Sequence, residues 1–180
     1  MLRRTLLIAS LAGLAVLGAL TTLALRPSQA SAKTSAQTLV PFEASVSETY
    51  TVARCGQWSI CITATGTGQA THLGAITEHS AIVVDINPAD QQNGCAPETR
   101  TTTLTAANGD TITMSGSGLT GCGGSNEAND TYAVTGGTGR FQGASGSGSD
   151  HNIHTQTGPG GGVALTTYQG DLTSVGSLQS

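Results

Sequence analysis

The stretch from Cys95 to Cys122 reads CAPETRTTTLTAANGDTITMSGSGLTGC, with Asn108-Gly109 at its centre. Asn-Gly is the strongest short signal for a two-residue hairpin turn, because both central residues of that turn need positive φ. The arms on either side are rich in Thr and alternate as half-buried strands do. A two-residue loop pairs Ala107 with Asp110, so paired positions sum to 217, and Cys95 and Cys122 share that sum. The two thiols are then expected to face each other at the far end of the hairpin, within disulfide reach. This register leaves Leu104 opposite Thr113, with Ile112 and Met114 on the other face. A three-residue loop, Asn108 to Asp110, sets Leu104 opposite Met114 instead and puts the cysteines one residue out of step. A bulge at Pro97 or Gly118 would reconcile the two patterns.

Working outward, the chain divides at its start. Met1-Leu-Arg-Arg is a positive segment, Leu6 to Leu25 is apolar and uncharged, and Ala30-Ser-Ala32 has the small residues of a cleavage site. Residues 1–32 are therefore read as a signal peptide, with an uncleaved membrane anchor as the alternative, since the apolar run is long enough to span a bilayer. Residues 33–41 read as a mobile polar leader, 42–174 as the folded domain and 175–180 as a tail. The localisation implied is secreted, or anchored outside the cytoplasm.

Of the seven Lys and Arg residues, Arg3, Arg4 and Arg26 precede residue 33, whereas all eleven Asp and Glu follow it. The exported part thus carries 4 basic and 11 acidic side chains, a formal charge of −7. Nucleic acid and anionic membrane surfaces are poor partners for such a chain. All four cysteines lie in this part, and an even number in an oxidising compartment points to two disulfides. If Cys95 joins Cys122, Cys55 joins Cys61, which requires a turn near Gly56.

Glycine dominates the composition, with 25 residues, and Gly and Thr together disfavour long helices. Strand patterns recur along the chain. Phe42 to Ala53 is one; Trp58 to Gly66 is the next, followed by a Gly-interrupted, bent segment to Gly74. Ala75 to Ile86 is the clearest, its even positions Ile76, Glu78, Ser80, Ile82, Val84 and Ile86 forming a mostly apolar face that includes one carboxylate. After the central hairpin come Asp130 to Thr135, Ala144 to His154, a loop at Gly158-Pro-Gly-Gly-Gly162, and Val163 to Leu172. Eight strands with short links point to an all-β sandwich or barrel. The Gly-x-Gly pairs (66/68, 116/118, 146/148) suit the bent strands of a closed antiparallel barrel.

Thr71-His-Leu-Gly74, Ala106-Ala-Asn-Gly-Asp110 and Tyr132–Gly148 (YAVTGGTGRFQGASGSG) resemble the bacterial secreted members of the allene oxide cyclase-like, dirigent-like barrel superfamily. The resemblance spans most of Gly66 to Leu172, and GGTGRF-x-GA-x-G is its most specific part. It implies an eight-stranded antiparallel β-barrel, calycin-like, with a lumen open at one end. Plant relatives use that lumen to shape the cyclisation or coupling of a hydrophobic substrate. The shared motifs are glycine turns and carry no catalytic signature.

Candidate chemistry is sparse. Glu78 shares a face with Ile76, Ile82 and Val84, where desolvation would make it a possible acid, base or ligand-binding group. A bulge that flips the parity, or a place at a wet barrel mouth, makes it an ordinary strand residue instead. His72 joins Glu78 as a ligand-binding candidate only if no bulge intervenes. His151 and His154, three apart on a strand, point to opposite faces, so no metal site is expected, and no cofactor is implied. Gly136 to Phe141 lacks the Lys-Ser/Thr of a phosphate loop and reads as a tight connection, with Phe141 in the core and Arg140 paired nearby. Asn129-Asp-Thr131 matches an N-glycosylation acceptor, of consequence only in a host that glycosylates. No nucleophile elbow with a triad is present. The expected function is binding of a small apolar molecule without turnover. An isomerase or cyclase, or a structural surface module with a packed lumen, are the alternatives. Oligomeric state is not legible.

Overall fold

The computed structural model describes residues 38–173. They form eight antiparallel strands: β1 (Leu39–Arg54), β2 (Ser59–Ala70), β3 (Gly74–Asp85), β4 (Ala96–Ala106), β5 (Thr111–Thr120), β6 (Glu127–Gly137), β7 (Gly146–Gly158) and β8 (Gly161–Thr173). Each strand pairs with its neighbours in sequence, and β1 closes on β8, giving an eight-stranded barrel. The signal segment and the C-terminal tail lie outside the described residues. Strand β1 takes in Leu39 to Pro41, the last three residues read from sequence as leader.

One rule of parity organises the interior. Directly opposed residues of an antiparallel pair face the same side of the sheet. The ladders pair even with even, as in Ala44↔Ala70, Ile82↔Arg100 and Asp130↔Asp150, except at two irregularities that pair Ile112 with Gly137 and Gly158 with Gly161. The inward face is therefore even-numbered along most of each strand. The central hairpin keeps the rule by a turn different from either expected one. Leu104 pairs with Ile112 and Thr105 with Thr111, a sum of 216 rather than 217. The Gly109 amide donates to the Ala106 carbonyl and the Ala106 amide to that of Asp110, leaving Ala107-Asn108-Gly109 as a three-residue loop with Gly109 at φ +87°. Asn108 and Gly109 thus stand one place later in the turn than a two-residue loop requires, which is the glycine-bulge alternative. This register buries Leu104, Ile112 and Met114 together. Cys95 and Cys122 are bonded even so, because Gly121 adopts a left-handed φ of 67° and carries Cys122 out of the ladder. The adjustment falls there, and Pro97 and Gly118 pair regularly. Cys55 is bonded to Cys61 across the β1–β2 turn.

Two other local expectations need correction. Strand β2 runs unbroken through Gly66 and Gly68, in register with both neighbours. Gly158 to Gly162 is no loose loop; Gly158 pairs with Gly161 across a tight Pro159-Gly160 turn. The inward glycines clear space rather than break strands. A Cβ at Gly118 would collide with the Asn129 carbonyl and the Asp130 carboxyl, and one at Gly148 would lie 2.5 Å from the Tyr132 hydroxyl. Glycine on one strand lets a large side chain from the next fill the lumen.

One end of the barrel is a solid apolar plug. Phe42, Val46, Leu104, Ile112, Met114 and Leu172 are buried there, and the β6–β7 connection adds Phe141. Arg140 donates to Asp110 at 2.8 Å, tying this connection to the β4–β5 turn. The opposite end carries the connections β1–β2, β3–β4, β5–β6 and β7–β8, and both disulfides.

Candidate functional site

Between the plug and the open end lies a layer of buried polar side chains centred on Arg100. Its Nη2 donates to Glu78 Oε1 at 2.8 Å, Glu48 Oε1 at 3.0 Å and Ser80 Oγ at 3.3 Å. Nε donates to Thr102 Oγ1 at 3.1 Å, and Nη1 stands 3.6 Å from Asp150 Oδ2. Glu78 Oε1 also accepts from Ser80 Oγ at 2.6 Å and Tyr168 Oη at 2.8 Å. Glu48 accepts from Thr166, whose hydroxyl in turn receives the Asn152 amide at 2.6 Å. The guanidinium lies 5.8 Å over the Tyr168 ring. Buried charges require partners of this kind, and Arg is suited to several acceptors at once.

Five carboxyls are buried around this single guanidinium: Glu48, Glu78, Glu98, Asp130 and Asp150. Glu98 and Asp130 flank the bare backbone of Gly118 on β4 and β6. Burial, then the negative neighbour Glu98, pushes Asp130 up to about 8, so it holds a proton at neutral pH. Burial raises Asp150 to about 6 against the pull of Arg100. Glu48 and Glu98 are also raised, burial being the main cause in each. Burial works against the charge on Arg100, but Tyr168, Glu48, Glu78 and Asp150 together raise its pKa.

Above this layer the lumen opens as a cavity of about 370 Å³. Its wall is apolar, with Val52, Ile60, Ile62, Ile82, Val84 and Ala128 among its residues, while Glu48, Glu98, Arg100 and Asn152 reach it as polar groups. Tyr50 and His154 meet edge to face near the rim, ring centres 6.2 Å apart. Burial lowers the pKa of His154.

The residues singled out from sequence do not assemble as a group. Glu78 points inward and is 3 % exposed, but it lies in the Arg100 layer and does not line the cavity. His72 is away from the lumen, exposed in the β2–β3 turn at φ 67°, with Nε2 3.0 Å from the Pro41 carbonyl. His151 faces outward, 3.4 Å from Glu127. Sequence reasoning overlooked Arg100, Glu48, Glu98, Asp130 and Asp150. The available signal was parity: each is even-numbered on a strand, as Leu104, Val46 and Val84 are.

No known protein-family profile matches the chain, and no curated protein matches it. Among solved structures, the pterocarpan synthase dirigent protein GePTS1 aligns over 81 % of this chain and 91 % of its own, at 10 % identity and a TM-score of 0.49. The pterocarpan synthase dirigent protein PsPTS1 aligns over 79 % and 97 %, at 12 % identity and a TM-score of 0.46.

Proposed function

We propose that this chain is a binding protein for small, largely apolar molecules, which it holds in the open half of its barrel. The observation that carries the reading is the cavity of about 370 Å³, apolar at its wall and polar at its inner end. That volume lies in the range of ordinary small-molecule sites, roughly 300–1,000 Å³, and the combination of apolar wall and few polar groups is typical of them. Two disulfides bracketing the open end support a place outside the cytoplasm, where such bonds persist. A packed structural barrel accounts for the plug but not for the cavity.

The test is titration of a neutral fluorescent apolar probe, N-phenyl-1-naphthylamine, into the disulfide-bonded protein and its Ala128→Phe variant. Ala128 is buried and lines the cavity, so a phenyl ring there occupies the ligand's space. The expected result is saturable binding, weakened at least roughly tenfold in the variant, about 1.4 kcal/mol. Equal binding by both proteins refutes the lumen as the site.

A second reading, an isomerase or cyclase working by proton transfer, is favoured by one feature. Glu98 faces the cavity while its neighbour Asp130 holds a proton near neutral pH, an arrangement suited to general acid catalysis. A ligand that copurifies with the host-secreted protein distinguishes the two. Returned to fresh protein, it is recovered unchanged under the binding reading and as an isomer of equal mass under the catalytic one.

A further inference from the structure

We infer that the lumen prefers amphiphiles bearing a cationic amine head over neutral or anionic ones of the same apolar length. The inference rests on the lumen being the binding site and adds the chemistry of the head group. Its basis is the imbalance between hydrogen-bond donors and acceptors at the inner end of the cavity. Arg100 is the one buried cation among the described residues; Nη2 donates to Glu48, Glu78 and Ser80 and Nε to Thr102, while Nη1 stands 3.6 Å from Asp150 Oδ2 without a hydrogen bond. An anionic head that approached Nη1 would face the carboxyls already gathered around the guanidinium.

Acceptors, by contrast, are in surplus. Five buried carboxyls surround that guanidinium, from β1 (Glu48), β3 (Glu78), β4 (Glu98), β6 (Asp130) and β7 (Asp150). Neither oxygen of Asp130 receives a donor from the described residues, nor do Glu78 Oε2 and Asp150 Oδ2, although all three side chains are at most 4 % exposed. Glu98 joins Asp130 to the cavity, because it contacts the first and lines the second. A group entering along the apolar wall therefore meets Glu98 first, backed by a carboxyl with no donor of its own. An ammonium brings three donors and a positive charge to that point. On binding, the proton that Asp130 holds near neutral pH is released to solvent and the ammonium takes over its neutralising role. The Tyr50 ring at the rim adds a face suited to a passing cation.

The experiment is displacement of bound N-phenyl-1-naphthylamine at pH 8 by octylamine, octan-1-ol and octanoate, which share one chain and differ in the head. Octylamine is expected to displace the probe at a concentration roughly tenfold below that of octan-1-ol, the advantage of a charge-assisted over a neutral hydrogen bond. Octanoate is expected to be weakest. In Glu98→Gln the amine's advantage over the alcohol should shrink to about threefold or less. Independently of any variant, that advantage should narrow for the wild-type protein between pH 8 and pH 5, as the carboxyls fill with protons. Equal displacement by amine and alcohol, or strongest displacement by octanoate, overturns the amine preference while leaving the lumen reading intact. Failure of the probe to bind at all overturns both.

Discussion

Replacing Arg100 with Met removes the only buried positive charge among the described residues while keeping an unbranched stem in its place. The structure fixes what is lost. Glu48, Glu78, Ser80 and Thr102 lose hydrogen bonds of 2.8–3.3 Å, and Asp150 loses its counter-charge at 3.6 Å. Breaking a buried ion pair by removing one partner costs about 3–5 kcal/mol, because the remaining charges stay desolvated. A domain of this size has only about 5–15 kcal/mol to lose. The cost must depend on pH. Asp130 and Asp150 have folded-state pKa values of about 8 and about 6, both above the ordinary 3.8. The folded protein therefore binds more protons than the unfolded chain between pH 4 and 8. Stability is full below that window and falls as pH rises through 6 and then 8. The wild-type protein should thus be more stable at pH 5 than at pH 8. Without Arg100 the decline should steepen, since Glu48 and Asp150 escape repulsion only by taking up protons. Urea unfolding at both pH values, with disulfides intact, measures this. The expected loss on Arg100→Met is about 3–5 kcal/mol at pH 8 and no more than about half that at pH 5. A loss below about 1 kcal/mol at pH 8, or equal losses at both pH values, would show that the guanidinium does not neutralise the layer.

Two glycines separate lumen packing from turn geometry. Gly118→Ala sets a methyl group against Asn129 and Asp130, and should cost about 3 kcal/mol or more in urea unfolding while perturbing the Asp130 titration seen by carboxyl NMR. Gly109→Ala meets no atom within 4 Å and strains only a φ of +87°, so about 1 kcal/mol is expected, with that titration unmoved. The disulfides should differ by loop length. Converting Cys95 and Cys122, which are 27 positions apart, to Ser should lower stability by about 3.6 kcal/mol on chain-entropy grounds. The same change at Cys55 and Cys61, 6 apart, should cost about 2.4 kcal/mol, and the reverse order in thermal or urea unfolding would refute the entropic account.

The legible part of this chain is local. Thr-rich alternation, glycine turns and even-position apolar residues from Ile76 to Val84 mark strands and their inward faces without knowledge of partners. They point to an all-β sandwich or barrel, because short hairpins leave few ways to bury one face of every strand, and the Gly-x-Gly pairs favour the barrel. Asn108-Gly109 marks a turn but not its length. Two- and three-residue loops both accept Gly at positive φ, and only the requirement that Leu104, Ile112 and Met114 share the interior selects between them. The site was out of reach for the same reason. Glu48, Glu78, Arg100 and Asp150 belong to β1, β3, β4 and β7, and no spacing in the sequence links them. Their common parity says only that each points inward. Their height along the barrel, which brings four strands' charges to one level beneath an apolar cavity, follows from the stagger of the closed sheet. Sequence alone thus determined which side of each strand is buried, because that depends on a period of two. Which buried groups meet depends on register summed around the whole barrel, and only the closed tertiary structure sets that sum.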